Sequence, residues 1–222
     1  MKKLFLVFIA TFLSAASICA QPKVIDGEVY NKAWRSAITR DRNSSYRKTE
    51  RIEYFDNDTL TSSEDWVYEY IKPDKRRFVH VSKRSDRTTK SEWIEVGTVT
   101  FCRRNDGEWE VSRSCVGGGS GSGISDIISE KFTLENIIEA GKKVAIYEQY
   151  TTHKNTYGSE KDRSRLRFSH SKLWLNEKGK MTREVHRNGL LTPEQPSSVT
   201  TTDIQYEPAD LKIEPPLVVR QK

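Results

Sequence analysis

The sequence predicts an α+β fold. Apolar residues alternate with period two over most of the chain, in segments parted by short turn signals, and helical spacing is confined to a stretch near the start and another in the middle. Strands so close in sequence pair antiparallel, because parallel neighbours need a long crossover.

The first helix is expected in DGEVYNKAWRSAITRD. Val29, Tyr30, Ala33, Trp34, Ala37 and Ile38 recur at three- and four-residue steps, and Asp26 is placed to cap the start. From Arg47 the period becomes two: RKTERIEYF, EDWVYEYI, RRFVHVS, SEWIEVG, TVTFCRR and EWEVSR read as consecutive strands between the turns DND, KPDK and NDG. Phase sorts their side chains, so that Trp66, Tyr68 and Tyr70 point one way and Val67, Glu69 and Ile71 the other; Phe78 and His80 likewise oppose Val79 and Val81. Several strands are partly apolar on both faces, which calls for cover on the second face or for a cavity.

The run VGGGSGSG, residues 116–123, has no side chains to pack and reads as a mobile loop. After it, SDIISEKFTLENIIEAGKK predicts one or two short helices, with Thr133 as cap, Gly141 as terminator and Leu134, Ile137 and Ile138 as the buried stripe. Strands resume in KKVAIYEQYTT, RSRLRFSHSKLWLNE, KMTREVHR and SVTTTDIQYE, with a tight turn around Gly179. Leu166, Phe168 and His170 differ in phase from Leu173 and Leu175, which places a bulge near Ser171. About ten strands are expected.

Residues 1–20 have the order of a cleavable secretion signal: Lys2 and Lys3, an apolar run from Leu4 to about Leu13, then small residues ending at Ala20. The run is too short to span a bilayer as a helix. The expected address is the periplasm or extracellular space. Anchoring through a lipid on Cys19 is a rival reading, disfavoured because Ile18 precedes the cysteine where a small residue is usual. The rest, 21–222, is long enough for one substantial core and reads as one domain, with the Gly/Ser-rich loop and helical insertion at 116–141.

The formal net charge is +6, and +4 without Lys2 and Lys3. These charges are interspersed, which gives no support to a nucleic-acid partner. In an oxidising compartment Cys102 and Cys115 invite a disulfide, worth about 3 kcal/mol. No CxxC pair or histidine spacing calls for zinc or another metal, and no cofactor is implied. There is no HExxH, GxSxG or GxxxxGK[ST], so an enzyme is not expected; an unrecognised hydrolase would need His170, an acid and a serine to converge.

WVYEYIKPDKRRFVHVS followed by EWIEVGTVTFCRRNDGEWE, then KLWLNEKGKMTREVHR and TTTDIQYEPADLKIEPP, resemble the LolA-like superfamily of periplasmic half-barrels. The resemblance implies a curved antiparallel sheet whose concave face, covered by helices, holds an apolar cavity for acyl chains. It implies a non-catalytic carrier or binder of lipid or lipoprotein acyl chains in the bacterial envelope, or a sensor module of the same fold with an envelope protein partner. A monomer is expected. Trp66, Tyr68, Tyr70, Phe78, Trp93, Phe101, Trp109, Tyr147, Leu166 and Phe168 are the candidate cavity lining, and Arg47 and Arg51 the candidates for its mouth. Burial of a chain gains about 0.8 kcal/mol per CH₂, so large apolar walls supply affinity without polar chemistry.

Overall fold

The computed structural model describes residues 21–41, 44–111, 125–155, 165–190 and 195–217. The expected signal segment with Cys19, the glycine-rich run and Cys115 lie outside them. In chain order the elements are β1 (Lys23–Ile25), α1 (Gly27–Asp41), β2 (Tyr46–Asp56), β3 (Thr59–Ile71), β4 (Lys75–Arg84), β5 (Thr88–Val96) and β6 (Val99–Arg104). Then come β7 (Glu110–Val111), β8 (Ser125–Glu139), β9 (Lys142–Asn155), β10 (Leu166–Asn176), β11 (Met181–Gly189) and β12 (Ser198–Tyr206). The 12 strands form one open sheet in the order β1-β8-β9-β10-β11-β12-β2-β3-β4-β5-β6-β7. Every pairing in it is antiparallel. The one non-local join inside the meander, β12 on β2, runs over nine residue pairs from Ser198–Tyr54 to Tyr206–Tyr46.

The N-terminal helix is where the spacing puts it. Asp26 Oδ1 accepts a 2.7 Å hydrogen bond from the Glu28 amide, which satisfies one of the orphan donors of the first turn. The helical insertion expected at 125–139 is instead the strand β8, paired with β9 along its length except at an irregularity between Ile127 and Ser129. Leu134, Ile137 and Ile138 fit a helical stripe, but the segment that follows settles the matter. Ala140 and Gly141 both have positive φ, 48° and 76°, which makes a two-residue hairpin turn rather than a helix end. Fourteen ladder partners on β9 then override local helix propensity. With β1, this strand raises the expected ten to twelve.

The expected bulge near Ser171 is absent: β10 pairs with β9 without a break from Leu166 to Asn176, and its register with β11 shifts only between Trp174 and Leu175. The change of apolar phase has another cause. Phe168 and His170 are buried on one face while Ser171, Leu173 and Leu175 are buried on the other, so both sides of this strand are covered. The turn at Gly179 is as expected, with the Gly179 amide donating to the Asn176 carbonyl at 2.7 Å.

Among the described residues α1 is the one helix. It packs on the β8–β12 half of the sheet, where Tyr30 meets Phe132 and Tyr147 and where Ala37 joins Leu173, Leu175, Met181 and Ile204 in a solid cluster. Leu173 is 0% exposed and Ala37 1%, so helix and sheet are packed dry against each other at these positions. The face carrying this cluster is here called the helix face.

Gly189 lies under the Phe168 ring: a Cβ there would stand 2.3 Å from Cε1. Gly189→Ala is therefore expected to overpack the far face and cost about 1–3 kcal/mol, measured as a lowered urea midpoint at unchanged m-value.

Candidate functional site

Register carries the helix face across the whole sheet in rows. One row runs Tyr147, Leu173, Glu184, Thr202, Glu50, Trp66, His80, Ser91; two rows beside it run from β12 as Ile204, Lys48, Tyr68, Phe78, Trp93, Cys102 and as Tyr206, Tyr46, Tyr70, Arg76, Glu95. The β8–β12 half of the face packs against α1. On β2, Tyr46 packs against the edge of that cluster, and from there across β3–β5 the aromatic side chains that share one phase meet.

Those rings touch one another. Trp66 stacks on His80 at 3.8 Å and on Tyr68 at 5.8 Å, Phe78 stacks on Trp93 at 4.9 Å, and Tyr68 meets Phe78 edge-on at 5.3 Å. Tyr46 and Tyr70 pair across β2 and β3 at 5.7 Å. Trp93 is buried at the base of the group and the others are half-buried. A cavity of about 520 Å³ opens on them, lined by Tyr46, Tyr68, Glu69, Tyr70, Arg76 and Phe78.

Charged groups rim the rings without interrupting them. Lys48 Nζ lies 4.2 Å from the Tyr68 ring centre and 3.0 Å from Glu50, and Arg76 crosses Tyr70 to reach Glu95 at 3.6 Å. Burial, reinforced by Glu50 and Glu64, pushes the Tyr68 hydroxyl up to about 12, so it is a neutral donor at any physiological pH. The His80 imidazole is 3.3 Å from the Glu64 carboxylate. Such a face can hold an apolar or amphiphilic group by contact area, and its tyrosine hydroxyls can orient a polar end.

Of the residues singled out from sequence, Trp66, Tyr68, Tyr70, Phe78 and Trp93 come together here. Tyr147 shares the face but packs under Tyr30 at 6.5 Å. Phe101 pairs with Ile94 on the far face, and Trp109 stacks beneath Arg103 there. Phe168 is buried on that side too, and Leu166, in the same phase, is 49% exposed. Sequence reasoning passed over Tyr46, Arg76 and the stacked His80; the phase of β4 marks Arg76 and His80, but Tyr46 becomes legible only once β2 is set beside β3.

Arg47 and Arg51 are also on the far face, away from the cavity's aromatic floor. Arg47 Nε donates to Glu69 at 2.7 Å, and its Nη1 donates to both carboxylate oxygens of Asp210 at 3.0 and 3.2 Å. From Glu69 the chain of charges continues through Arg77 to Glu92, and from Glu92 to Arg103. Asp210 belongs to the segment after β12, in which Pro208 and Ile213 are buried. Hydrogen bonds to Glu69 and Asp210 hold the Arg47 guanidinium above its ordinary value, so Arg47 is a fixed cation in a structural network.

Among the described residues no triad forms around His170. Its ring stacks on Tyr150 at 4.1 Å with Glu148 at 3.8 Å, on the far face, whereas Ser169 and Ser171 point to the helix face and bond His186 and Glu184. Burial outweighs the nearby Glu148 and pushes the His170 imidazole down. Cys102 stands half-buried on β6, and its expected partner Cys115 is outside the described residues.

No protein-family model matches the sequence, and no curated protein matches it. Among solved structures the chain is similar to the lipoprotein LppX of Mycobacterium tuberculosis, with 11% identity and a TM-score of 0.41 over 84% of this chain and 100% of that one. It is similar to a LolA superfamily protein of Nitrosomonas europaea, with 11% identity and a TM-score of 0.32 over 77% of this chain and 90% of that one. It is also similar to an outer membrane lipoprotein-sorting protein domain of Vibrio parahaemolyticus, with 10% identity and a TM-score of 0.26 over 77% and 91%. All three are likenesses at low identity. At TM-scores below 0.5 they leave function to the aromatic face itself.

Proposed function

We propose that this chain is an exported, non-catalytic binder or carrier of lipid or lipoprotein acyl chains, and that the chain lies on the aromatic face of β2–β5 rather than beneath α1. One observation carries the reading. Half-buried rings on neighbouring strands form a continuous apolar floor that no described element covers, beside a cavity of about 520 Å³. A monomeric protein has no reason to leave so many touching rings half-wet unless something apolar completes their burial. Trp66, Tyr68, Tyr70, Phe78 and Trp93 are the proposed contacts, joined by Tyr46. Residues 21–222 act as one domain, and a Cys102–Cys115 bridge ties β6 to the segment after β7.

Trp66 and Trp93 supply the readout. Titrating the mature protein with dodecanoate is expected to change tryptophan emission saturably, and Trp66→Ala or Phe78→Ala each to weaken binding about tenfold, equivalent to ~1.4 kcal/mol. Trp34→Ala, on the exposed side of α1, should leave affinity unchanged. Gently purified protein that carries no lipid in native mass spectrometry and also ignores dodecanoate would remove the reading.

A further inference from the structure

At the other end of the same face, a second cavity of about 250 Å³ is lined by Ser82, Arg84, Arg87 and Thr89. It sits at the β4–β5 hairpin. Arg84 and Arg87 close the turn by exchanging backbone hydrogen bonds, 2.9 Å from the Arg84 amide and 3.4 Å from the Arg87 amide. That places the two guanidinium-bearing residues directly opposite each other, one step beyond the Ser82–Thr89 pair and in the phase of Phe78 and His80. Like charges opposed across a ladder are unfavourable, and neither arginine makes an ion pair with any acid among the described residues. Arg47, Arg51, Arg76, Arg77 and Arg103 each have an acid partner, while Arg104, opposite Ser91 on the same face, has no ion pair among the described residues and adds to the positive charge at this end. Glu64, across from Ser82, lies 3.3 Å from His80 Nε2.

A hairpin that opposes two unpaired arginines beside two hydroxyls is a local conflict that an oxyanion would resolve, through forked hydrogen bonds from the guanidiniums and single ones from Ser82 and Thr89. Position then relates this cavity to the first. Along β4 the helix face reads Arg76, Phe78, His80, Ser82, Arg84, which changes from aromatic to hydroxyl to cationic over about 20 Å from Phe78 to Arg84. The geometry points to an anionic amphiphile as the ligand: its apolar chain on the Trp66–Phe78 floor and its phosphate or carboxylate head between Arg84 and Arg87. This inference rests on the acyl-chain reading above and adds the charge of the head group.

The test compares dodecyl phosphate, dodecyl maltoside and inorganic phosphate by calorimetry, each below any micellar concentration, on the wild type and on the double variant Arg84→Gln, Arg87→Gln. Dodecyl phosphate is expected to bind the wild type at least tenfold more tightly than dodecyl maltoside, and the preference to vanish in the double variant while maltoside binding is unchanged. The same variant should have an unchanged or raised melting temperature without ligand, because the opposed charges are gone. Equal affinity for the two amphiphiles in both proteins would overturn the head-group inference and leave the acyl reading standing. Inorganic phosphate bound as tightly as dodecyl phosphate, and lost in the double variant, would make the hairpin a site for free oxyanions and overturn the amphiphile. Binding of neither amphiphile to the wild type would overturn the acyl reading itself and this inference with it.

Discussion

Glu92→Gln is expected to destabilise the protein by about 3 kcal/mol, the lower end of what breaking a buried ion pair costs. Glu92 is 3% exposed, and each of its oxygens is held by a guanidinium: Oε1 by Arg77 at 2.8–2.9 Å, Oε2 by Arg103 at 2.6–2.9 Å. The amide keeps the shape but removes the one negative charge between two cations, leaving Arg77 shared only with Glu69. The loss stays at the lower end because both arginines retain some access to water. Urea denaturation gives the magnitude, and pH gives the cause. Burial alone would raise the Glu92 carboxyl, but the hydrogen bonds and charges of Arg103 and Arg77 outweigh it and hold the group below its ordinary 4.5. A lowered folded value means that the stabilisation is complete above the ordinary carboxylate range and disappears as pH falls through the lowered one. The gap between wild type and variant should therefore be constant near neutrality and shrink in acid below about pH 4. A pH-independent gap would mean that the amide disturbs packing rather than charge. Lys212 and Glu214, an exposed pair 3.0 Å apart, are the contrast: removing either should cost less than about 1 kcal/mol.

This charge network shows what the sequence withheld. Arg47 alternates with Tyr46 and Lys48, so its phase within β2 was legible, but whether that phase shares a face with Trp66 depends on the β2–β3 register, in which Arg47 lies opposite Glu69. The in-strand phases of β3 and β4 sufficed to group Trp66, Tyr68 and Tyr70, and to set Phe78 with His80, because hairpin partners inherit register from a short turn. Long joins do not. β12 reaches β2 across most of the chain, and only that join brings Tyr206 and Tyr46 to one end of the helix face. The β8 segment misled for a related reason: Leu134, Ile137 and Ile138 satisfy a helical stripe locally, and its fate was decided by Ala140 and Gly141 turning it back onto β9. The turn Arg84-Ser85-Asp86-Arg87 could have been read as two arginines opposed across a hairpin, but that they find no acid partner among the described residues is a tertiary fact.

Leu173→Ala is expected to cost about 2–5 kcal/mol, in the upper part of that range, and to leave acyl-chain affinity nearly unchanged. Leu173 is fully buried among Ala37, Leu175, Met181 and Ile204, with Ala33 and Tyr147 at the edge of the cluster. Its strand is laddered on both sides, to Tyr147 on β9 and Glu184 on β11, so the sheet cannot close in to fill the missing volume. From above the site faces α1 through Ala33 and Ala37, whose methyl groups are too short to follow a retreating side chain. The lost contacts are therefore not replaced, and the cavity penalty adds to the transfer cost. Calorimetric or urea unfolding measures the loss. Dodecanoate titration of the still-folded variant then separates two placements of the ligand, because the new hole lies beneath the helix and the aromatic floor lies beside it. An acyl chain seated on Trp66 and Phe78 has no contact with position 173 and should bind as before. A chain that entered under α1 would gain the vacated space, and tighter binding by Leu173→Ala would move the proposed site from the β2–β5 floor to the helix-covered half of the sheet.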